Sequence, residues 1–431
     1  MRSNYKKLGP YIRPVDVRNK QLKVDLLLGV SIQKILMPSI ANTVGSDMSK
    51  YKIIRKMQFA YGPVTSRNGD KISVALLEDH EAAIISQAYI VFEVIDKDEL
   101  DPEYLMMWFR RPEFDRYARY KSHGSARETF DWEEMLETEL PIPSLEKQRA
   151  IVKEYNTVVN RIKLNELLNQ KLEQTAQTLY RHWFVGFEFP ISKEQAQAMG
   201  KPELEGKPYK SSGCKMVWNE ELDKEIPEEW AAFSLDSLCD CNSSNLRGSH
   251  EFEELLYLDT SNLTENRLEQ LKIYDIYTDK VPSRAKRLVQ HNDILYSTVR
   301  PNLKHYGLLK YPLENMVVST GFTVLRLKNN IFSSELIYQS LIQVELINDL
   351  QAKAEMSVST YPSIKPEDLL EIKVALPKIN KRYLEEMNSL LISSYEHIHF
   401  KNNEIGKLYD LKDLILSKMT QVELKEGQLL Q

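Results

Sequence analysis

Residues 139–184 read ELPIPSLEKQRAIVKEYNTVVNRIKLNELLNQKLEQTAQTLYRHWF, and residues 374–419 read VALPKINKRYLEEMNSLLISSYEHIHFKNNEIGKLYDLKDLILSKM. In both stretches an apolar run ends at a proline and a long amphipathic pattern follows. Pro143 and Pro377 lie 234 positions apart, and the same offset relates Tyr104 to Tyr338, well upstream of either proline. The chain therefore predicts a duplication in which each copy is a globular region followed by a helix.

Both stretches have seam residues at alternating spacings of four and three, the pattern of a coiled coil. The seam lines of the first helix are Ile151, Val158, Asn165, Leu172 and Leu179, with Tyr155, Ile162, Asn169, Ala176 and Trp183. Those of the second helix are Met387, Ser394, Lys401, Leu408 and Ile415, with Leu391, Ile398, Ile405, Lys412 and Met419. Polar residues in mid-seam could fix the register of pairing. We expect the two helices to pair with each other; the alternative is that each packs only on its own domain.

The chain has 431 residues, of which 28% are charged and 42% are hydrophobic. This length suits two or more domains, and this balance is typical of a folded protein rather than a disordered one. No apolar run approaches the roughly 20 residues of a membrane span, and the N-terminus lacks the apolar stretch of a secretion signal. The three cysteines fit reduced thiols. We expect a cytoplasmic protein with no membrane partner.

The duplication and the turn residues divide the chain into a series of segments. In the first copy, short β-like runs precede a helix that Asp101 and Pro102 should cap. The predicted segments are a globular region over 1–143, a helix over 144–185, a connecting segment over 186–229, a second globular region over 230–377, a helix over 378–424 and a tail over 425–431. We predict an α+β fold, with two mixed α/β regions in a pseudo-two-fold repeat. The connecting segment is rich in Lys, Glu, Gly and Pro, so we expect it to run on the surface.

Sequence motifs for catalysis are missing from this chain. It has no GxxxxGK[ST] phosphate loop, no glycine-rich dinucleotide turn, no Asn- or Asp-Pro-Pro-aromatic tetrapeptide, and no GxSxG, HExxH or paired CxxC motif. Cys239 and Cys241 with His250 form at most half of a zinc site, because no second pair of ligands lies near them. Residues 368–373 loosely imitate a nuclease motif, but their spacing is too tight. We therefore expect no catalytic residue and no metal site.

Residues suited to nucleic-acid contact occur in two loops at matched places in the repeat. Residues 65–71 and 300–304 each follow a β-like run and offer Arg, Asn and Lys on a turn. Arg can bind guanine bidentately, Asn can bind adenine, and Lys can neutralise phosphate; the alternative is an ordinary solvated turn. A third loop, residues 121–127, is either a phosphate-contacting loop or a glycine hinge. The net charge of −5 does not by itself indicate a nucleic-acid binder, so local basic clusters must supply that function. The candidate DNA-binding residues are Ser66, Arg67, Asn68, Lys71, Arg119, Lys121, Ser122, His123, Ser125, Arg127, Arg284, Lys286, Arg287, Thr298, Arg300, Asn302 and Lys304.

Residues 140–152, LPIPSLEKQRAIV, resemble a motif of one known family, the specificity (S) subunits of Type I restriction-modification enzymes. That motif, Pro-Leu-Pro-Pro-x-x-Glu-Gln-x-x-Ile, opens the family's conserved helix. Residues 293–301, DILYSTVRP, and 226–230, IPEEW, are also similar to the family. The order of domain, helix, domain and helix extends the resemblance over nearly the whole chain. The second hinge, residues 376–382, departs from the motif because it lacks the Glu-Gln pair.

The resemblance implies a DNA reader with no catalysis and no cofactor of its own. In this family each globular region is a target recognition domain for one half of a split sequence in double-stranded DNA, and the two helices pair antiparallel as a spacer. The subunit docks two modification subunits, which use S-adenosylmethionine to methylate adenine. Motor-nuclease (restriction) subunits, which need ATP and Mg2+, add DNA cleavage. Low identity between the two halves implies an asymmetric target.

The intact first hinge is the stronger candidate for docking a partner subunit. The residues assigned to subunit docking are Pro143, Leu145, Gln148, Ile151, Tyr155, Ile162, Leu172 and Leu179. Two other functions stay open at this point. One is an enzyme in its own right, and the other is a coiled-coil scaffold whose halves bind protein without DNA specificity.

Overall fold

The computed structural model describes residues 5–39, 46–66, 71–124, 128–246, 252–269, 271–357, 361–378 and 382–420. The chain divides into two compact units: unit 1 comprises residues 1–164 and 405–431, and unit 2 comprises residues 165–404. Each unit therefore contains one globular region together with a part of both long helices. None of the helices in the described ranges has the length and apolar character needed to cross a membrane.

The globular region of unit 1 is built on a four-stranded antiparallel sheet with the strand order β2-β9-β6-β7. Three smaller antiparallel pairs, β1-β10, β3-β4 and β5-β8, accompany it. The strands are β1 (Tyr5–Lys7), β2 (Ile12–Val15), β3 (Leu28–Val30), β4 (Leu36–Pro38), β5 (Lys52–Arg55), β6 (Gln58–Gly62), β7 (Ser73–Leu76), β8 (Ala82–Ile85), β9 (Ile90–Val94) and β10 (Glu139–Pro141). The helices are α1 (Pro102–Arg110), α2 (Pro112–Lys121), α3 (Trp132–Leu136) and the long α4 (Leu145–Tyr180), which a π-helix over Arg181–Val185 continues.

Helix α1 anchors the core of unit 1. It begins as predicted: Asp101 is the N-cap, its carboxylate accepts hydrogen bonds from the backbone N–H groups at N2 and N3, and Pro102 occupies the first turn. The buried face of α1 places Phe109 edge-on to the stacked rings of Phe59 and Phe92, which lie 4.7 Å apart between centroids. Because these aromatic rings come from β6, β9 and α1, their packing joins the helix to the central sheet.

Unit 2 contains two four-stranded sheets, β14-β23-β20-β21 and β18-β15-β22-β19. Its strands are β11 (Met216–Asn219), β12 (Lys224–Pro227), β13 (Trp230–Ser234), β14 (Cys239–Cys241), β15 (Glu254–Leu258), β16 (Leu263–Thr264), β17 (Arg267–Leu268), β18 (Lys272–Asp275), β19 (Ala285–Leu288), β20 (Ile294–Ser297), β21 (Tyr306–Leu308), β22 (Met316–Ser319), β23 (Phe322–Leu327) and β24 (Lys373–Pro377). Its helices are α5 (Lys193–Ala198), α6 (Leu235–Leu238), α7 (Ser334–Leu341), α8 (Val344–Glu355) and α9 (Pro366–Leu370), with the long α10 (Arg382–Lys418) following.

The two globular regions have the same strand order. Sheet β2-β9-β6-β7 of unit 1 corresponds strand by strand to β14-β23-β20-β21 of unit 2, and pair β1-β10 corresponds to β13-β24. The pair β5-β8 likewise corresponds to β19-β22. Helices α3 and α9 begin and end 234 positions apart, at Trp132–Leu136 and Pro366–Leu370. The predicted α+β fold and its internal repeat are therefore confirmed.

Within unit 1 the beginning of α4 packs against the end of α10. Val152 and Tyr155 of α4 share one buried hydrophobic cluster with Leu416 of α10 and with Met419, which directly follows α10. Because low-numbered residues of one helix contact high-numbered residues of the other, the helices run antiparallel here. This pairing joins both helices to the core of unit 1.

Within unit 2 the same helices pair in the same direction. The amide nitrogen Nδ2 of Asn169 donates a hydrogen bond to Oδ1 of Asn402 at 2.7 Å. One turn further along α4, Oε1 of Glu173 accepts a hydrogen bond from the hydroxyl of Tyr395 at 3.1 Å. The partner's number falls as the α4 number rises, so the pairing is again antiparallel. The expectation that the helices pair with each other is confirmed, and the alternative of independent docking is wrong.

The predicted seam positions are all buried or half-buried. Asn165 is fully buried, and neither polar atom of its side chain has a hydrogen-bond partner among the described residues. The partner of Asn169 is Asn402, one residue beyond the assigned seam line, whose amide can both donate and accept. The seam residue Lys401 pairs with Glu404 of its own helix at 3.0 Å.

The connecting segment over 186–229 is exposed over much of its length, as predicted, but part of it lies in the core of unit 2, which the prediction of a surface connection missed. The side chains of Phe187, Phe189 and Ile191 are each at most 2% exposed. The ring of Phe189 stacks between Trp230, at 5.2 Å, and Tyr383, at 4.4 Å between centroids. The average composition of the segment is polar, but each aromatic ring brings a large apolar area, and burial of these rings holds the segment against the core.

Candidate nucleic-acid interface

In unit 1 the loop after β6 and the end of α2 come together, although the sequence presents them as separate candidates. The backbone N–H of Thr65 donates to the carbonyl of Glu128 at 2.9 Å, and its hydroxyl bonds to that of Ser122 at 3.1 Å. Val64 and His123 both form a β-bridge with Thr129. These bonds join the loop that contains Ser66 to the residues that end α2, so the two candidate groups form one surface.

The basic side chains of this surface are held by carboxylates of the same unit. Arg119 forms an ion pair with Glu128. The Nζ of Lys121 lies 3.2 Å from an oxygen of Glu134, and Nε2 of His123 lies 3.8 Å from the other oxygen. The hydrogen bond to Glu134 raises the pKa of Lys121, so this ammonium stays protonated. A DNA phosphate would have to compete with these carboxylates.

The other candidate DNA-binding residues of the first region are either exposed or outside the residues that the structure describes. Ser66 and Lys71 are exposed at the two ends of the loop that follows β6. Arg67, Asn68, Ser125 and Arg127 lie outside the described residues. The DNA-contacting role of all six stays a prediction.

In unit 2 the loop after β20 makes the same backbone pairing as the loop after β6. The N–H of Arg300 donates to the carbonyl of Pro362, and the N–H of Ile364 donates to the carbonyl of Thr298, both at 2.9 Å. In unit 1 the matching bonds join Thr65 to Glu128 and Phe130 to Pro63, also at 2.9 Å. The two loops therefore occupy equivalent places, as the repeat predicts, and Arg300 stands where unit 1 has Thr65.

The side chains of the second loop differ from those of the first. The guanidinium of Arg300 lies over the ring of Tyr361, with 5.4 Å between its carbon and the ring centroid. Nζ of Lys304 pairs with Glu265 at 2.6 Å, and the backbone N–H of Asn302 donates to a side-chain oxygen of Gln351 at 3.2 Å. Sequence reasoning did not single out Tyr361, because only the fold brings it to the loop.

Three basic candidates lie at the beginning of β19: Lys286 and Arg287 are in the strand, and Arg284 directly precedes it. Arg284 and Lys286 are exposed, and Arg287 is half-buried, with Nη1 donating to the side-chain oxygen of Asn242 at 2.6 Å. In the described part of the chain, none of the three has a carboxylate within ion-pair distance. The guanidinium of Arg287 is engaged by Asn242, whereas the exposed Arg284 and Lys286 meet no carboxylate at ion-pair distance among the described residues and could contact phosphate.

The basic strand and the loop after β20 meet at residues 320–321. The hydroxyl of Thr298 donates to the carbonyl of Gly321 at 3.1 Å. The adjacent N–H of Thr320 donates to the carbonyl of Arg284 at 2.9 Å. The basic candidates at β19 and those in the loop after β20 are therefore joined through one turn.

Gln148, assigned to subunit docking, has a different place in the structure. Its side chain is fully buried and bonds to the carbonyls of Glu99 and Pro143 and to the backbone N–H of Asp101. It holds the hinge to α1 and offers no surface to a partner. Tyr155 and Ile162 are also buried, at 4% and 5% exposure, because they face the interior of the protein. Docking by the half-buried Pro143, Leu145, Ile151, Leu172 and Leu179 stays a prediction.

The weak metal and nuclease patterns have ordinary structural explanations. In the described ranges, no group of three or more His, Cys, Asp or Glu side chains is placed to hold a metal ion. Cys239 is buried in β14, and burial raises the pKa of its thiol to about 12; His250 lies outside the described residues. Asp368 and Glu371 both pair with Lys353, at 2.6 and 3.7 Å.

The duplicated fold, with its matched loops and paired helices, is that of a recognition protein with two homologous globular regions. The family described as Type I restriction modification DNA specificity domain matches residues 4–174 and 227–405. These ranges include both globular regions and more than half of the chain. The chain therefore belongs to the family of Type I restriction-modification DNA specificity subunits, as the hinge motif indicated.

Individual relatives agree with this assignment. The specificity subunit of the Type I restriction enzyme MjaIX, from Methanocaldococcus jannaschii, is 24% identical over 345 residues, which are 78% of this chain and 72% of the relative. The specificity subunit of the Type I restriction enzyme HindI, from Haemophilus influenzae, is 26% identical over 149 residues, which are 35% of this chain and 32% of the relative. The crystal structure of the S subunit from M. genitalium has the same fold, with a TM-score of 0.55 at 15% identity over 96% of this chain and 95% of that one.

Proposed function

We propose that this chain binds double-stranded DNA and that each globular region reads one half of an asymmetric, split target. The observation that carries the proposal is the pair of equivalent loops after β6 and β20. Their backbones are bonded alike, yet Thr65 in one corresponds to Arg300 in the other. The two loops thus have the same position but different side-chain donors. This suits two domains that read different sequences, because hydrogen bonds from side chains to base edges determine which base is preferred.

We further propose that the paired helices set the unspecified spacing between the two half-sites. Helix α4 has 36 residues. At about 1.5 Å per residue such a helix is about 54 Å long. Major grooves on one side of DNA recur about every 34 Å, so a helix of this length corresponds to one to two turns of DNA.

Partner subunits would supply the chemistry. The two relatives are named as specificity subunits of restriction enzymes, which favours assembly of this chain with modification and restriction subunits. The modification subunits would bind S-adenosylmethionine and methylate adenine, and the motor-nuclease subunits would use ATP and Mg2+. Exposed leucines on α4 favour docking there: Leu164 and Leu167 are 46% and 50% exposed. In this proposal the chain itself positions DNA and catalyses nothing.

DNA binding by the purified chain, measured at several salt concentrations, distinguishes a DNA-binding protein from a coiled-coil scaffold that binds only protein. We expect binding to labelled random duplex DNA at low salt that weakens steeply as salt rises, because phosphate contacts release counterions. Replacing Arg284 and Lys286 with alanine should reduce the slope of log affinity against log salt by about two at most. Absence of binding at every salt concentration, by a chain whose circular dichroism shows it folded, would contradict the proposal and favour the scaffold.

A further inference from the structure

Arg300 lies in a loop whose backbone is unusually constrained. Arg300 and Lys304 have φ values of 48° and 56°, in the left-handed region that side chains other than glycine rarely adopt, and the turn Pro301–Leu303 joins them. Such conformations persist where the surrounding structure imposes them, and they are common at functional sites. Two hydrogen bonds hold this loop conformation: the N–H of Arg300 donates to the carbonyl of Pro362, and the N–H of Asn302 donates to the side-chain oxygen of Gln351.

The side chain of Arg300 is positioned by an aromatic ring rather than by a carboxylate. Its guanidinium lies over Tyr361, which is 59% exposed, and the described residues place no carboxylate within ion-pair distance of it. A cation–π contact attracts the guanidinium to the ring face and leaves its N–H groups available, whereas a carboxylate would occupy them. Among the described residues, therefore, no carboxylate competes for the donor fork of Arg300, and the ring of Tyr361 packs against its guanidinium.

The equivalent position in unit 1 has the opposite character. Thr65 is 2% exposed, and its hydroxyl bonds to Ser122 and to the carbonyl of Glu128. Thr65 therefore stabilises its loop and has no donor to offer at the surface. The same backbone position is structural in one region and available for binding in the other.

We propose that Arg300 reads a guanine in the half-site of the second region, and that Tyr361 is the residue that positions it. This inference rests on the proposed function and assigns its specificity to one side chain. The guanidinium fork matches O6 and N7 of guanine in the major groove, which is the commonest specific protein–DNA contact. Tyr361 acts through Arg300, whereas the exposed Arg284 and Lys286, for which the described residues supply no such ring contact, would contact phosphate.

Modified-base sequencing of DNA from cells with the full complex tests this assignment. We expect Arg300→Lys to relax one guanine position of the second half-site, with about 10- to 100-fold less discrimination there, and to leave the first half-site unchanged. Tyr361→Ala should relax the same position, whereas Tyr361→Phe should keep the wild-type specificity because the ring remains. The control Tyr277→Ala, at an exposed tyrosine of the same unit, should leave the motif unchanged.

Three results would overturn the assignment. An unchanged motif in Arg300→Ala would show that this side chain reads no base. A uniform loss across all sequences, with the salt slope lowered by about one, would make Arg300 a phosphate contact. Tyr361→Phe behaving like Tyr361→Ala would remove the positioning role of the ring. Failure of the proposed function looks different, because the wild-type chain would then produce no chain-dependent methylation.

Discussion

Gln148 uses all of its polar side-chain atoms at a fully buried position. Its Nε2 donates to the carbonyls of Glu99 and Pro143 at 2.9 and 2.8 Å, and its Oε1 accepts from the N–H of Asp101 at 2.8 Å. Gln148, five positions after the hinge proline Pro143, is thus bonded to the N-cap residue of α1. In this chain the glutamine of the hinge motif serves the fold of its own domain.

The second hinge is held in another way. Arg382, at the offset of 234 from Gln148, is exposed and pairs with Glu386 of its own helix at 3.0 Å. The next residue, Tyr383, is buried, and its hydroxyl accepts a hydrogen bond from Nε1 of Trp230 at 3.1 Å. Loss of the Glu-Gln pair in the second copy is therefore offset by an aromatic contact.

Replacing Gln148 with alanine should destabilise unit 1. The two carbonyls and the N–H of Asp101 would lose a buried partner, so we expect the free energy of unfolding to fall by about 1–3 kcal/mol. Hydrogen exchange followed by mass spectrometry should report faster exchange in residues 99–104 and little change in unit 2. Arg149→Ala is the matched control, since Arg149 is exposed next to it. Equal effects of the two variants would contradict this role for Gln148.

Glu173 should make the stability of unit 2 depend on pH. Burial raises the pKa of Glu173 from 4.5 to about 7, although the hydrogen bond from Tyr395 opposes the rise. The folded protein then holds a proton that the unfolded chain has released between these two values, so stability decreases as pH rises from about 4.5 to about 7. Each pKa unit of such a shift corresponds to roughly 1 kcal/mol.

Glu173→Gln should abolish this part of the pH dependence. Urea unfolding at several pH values between 5 and 8 measures it, and the variant should lose less stability than the wild type on going from pH 5 to pH 7. Glu166→Gln, on an exposed position of the same helix, is the control and should retain the wild-type slope. Identical slopes for all three proteins would show that Glu173 is ionised in the folded state.

Local sequence patterns predicted individual residues only where their partners are near in the chain. The cap of α1 by Asp101 was predictable, because an Asp-Pro pair before an apolar run needs no distant contact. Tyr361 beside Arg300 and Asn402 opposite Asn169 were not predictable, because tertiary pairing brings together residues 61 and 233 positions apart.

At the scale of elements, the long helices show how far a periodic pattern can be trusted. Their seam spacings predicted mutual pairing, and burial of those positions confirms it. The prediction for the connecting segment over 186–229 was wrong in part, because its average polarity concealed a few rings such as Phe189, which stacks on Trp230. A periodic pattern repeats over many residues and can therefore be recognised in a long segment. A few isolated aromatic residues in a polar segment give no such pattern.

Lengthening both helices tests their role as a spacer. We expect four residues inserted after Leu164 and four after Glu404 to add about 6 Å and so to lengthen the unspecified spacer of the DNA target by about two base pairs. Modified-base sequencing reads the spacer directly, and both half-sites should be unchanged.

A matched insertion controls for general disturbance. Four residues placed after Asp279, in a turn of the second globular region, should leave the spacer at its original length. An unchanged spacer in the helix variant, with methylation still present, would contradict the proposal that the helices set the spacing.

At the scale of the whole chain, the duplication was predictable and the binding chemistry was not. The 234-residue offset survives in α3 and α9 because packed cores tolerate only small changes in the length of their elements. Loop side chains are free of that constraint, so Thr65 and Arg300 diverged on equivalent backbones. The family could therefore be inferred from sequence, while the place of each candidate residue needed the fold.

Modified-base sequencing of DNA from cells with and without this chain, with the partner subunits present in both, tests the central claim most directly. The account predicts a split, asymmetric, adenine-methylated motif that is present with the chain and absent without it. A methylation pattern that is the same in both cells, when the chain is expressed and folded, would contradict the claim that this protein determines DNA specificity.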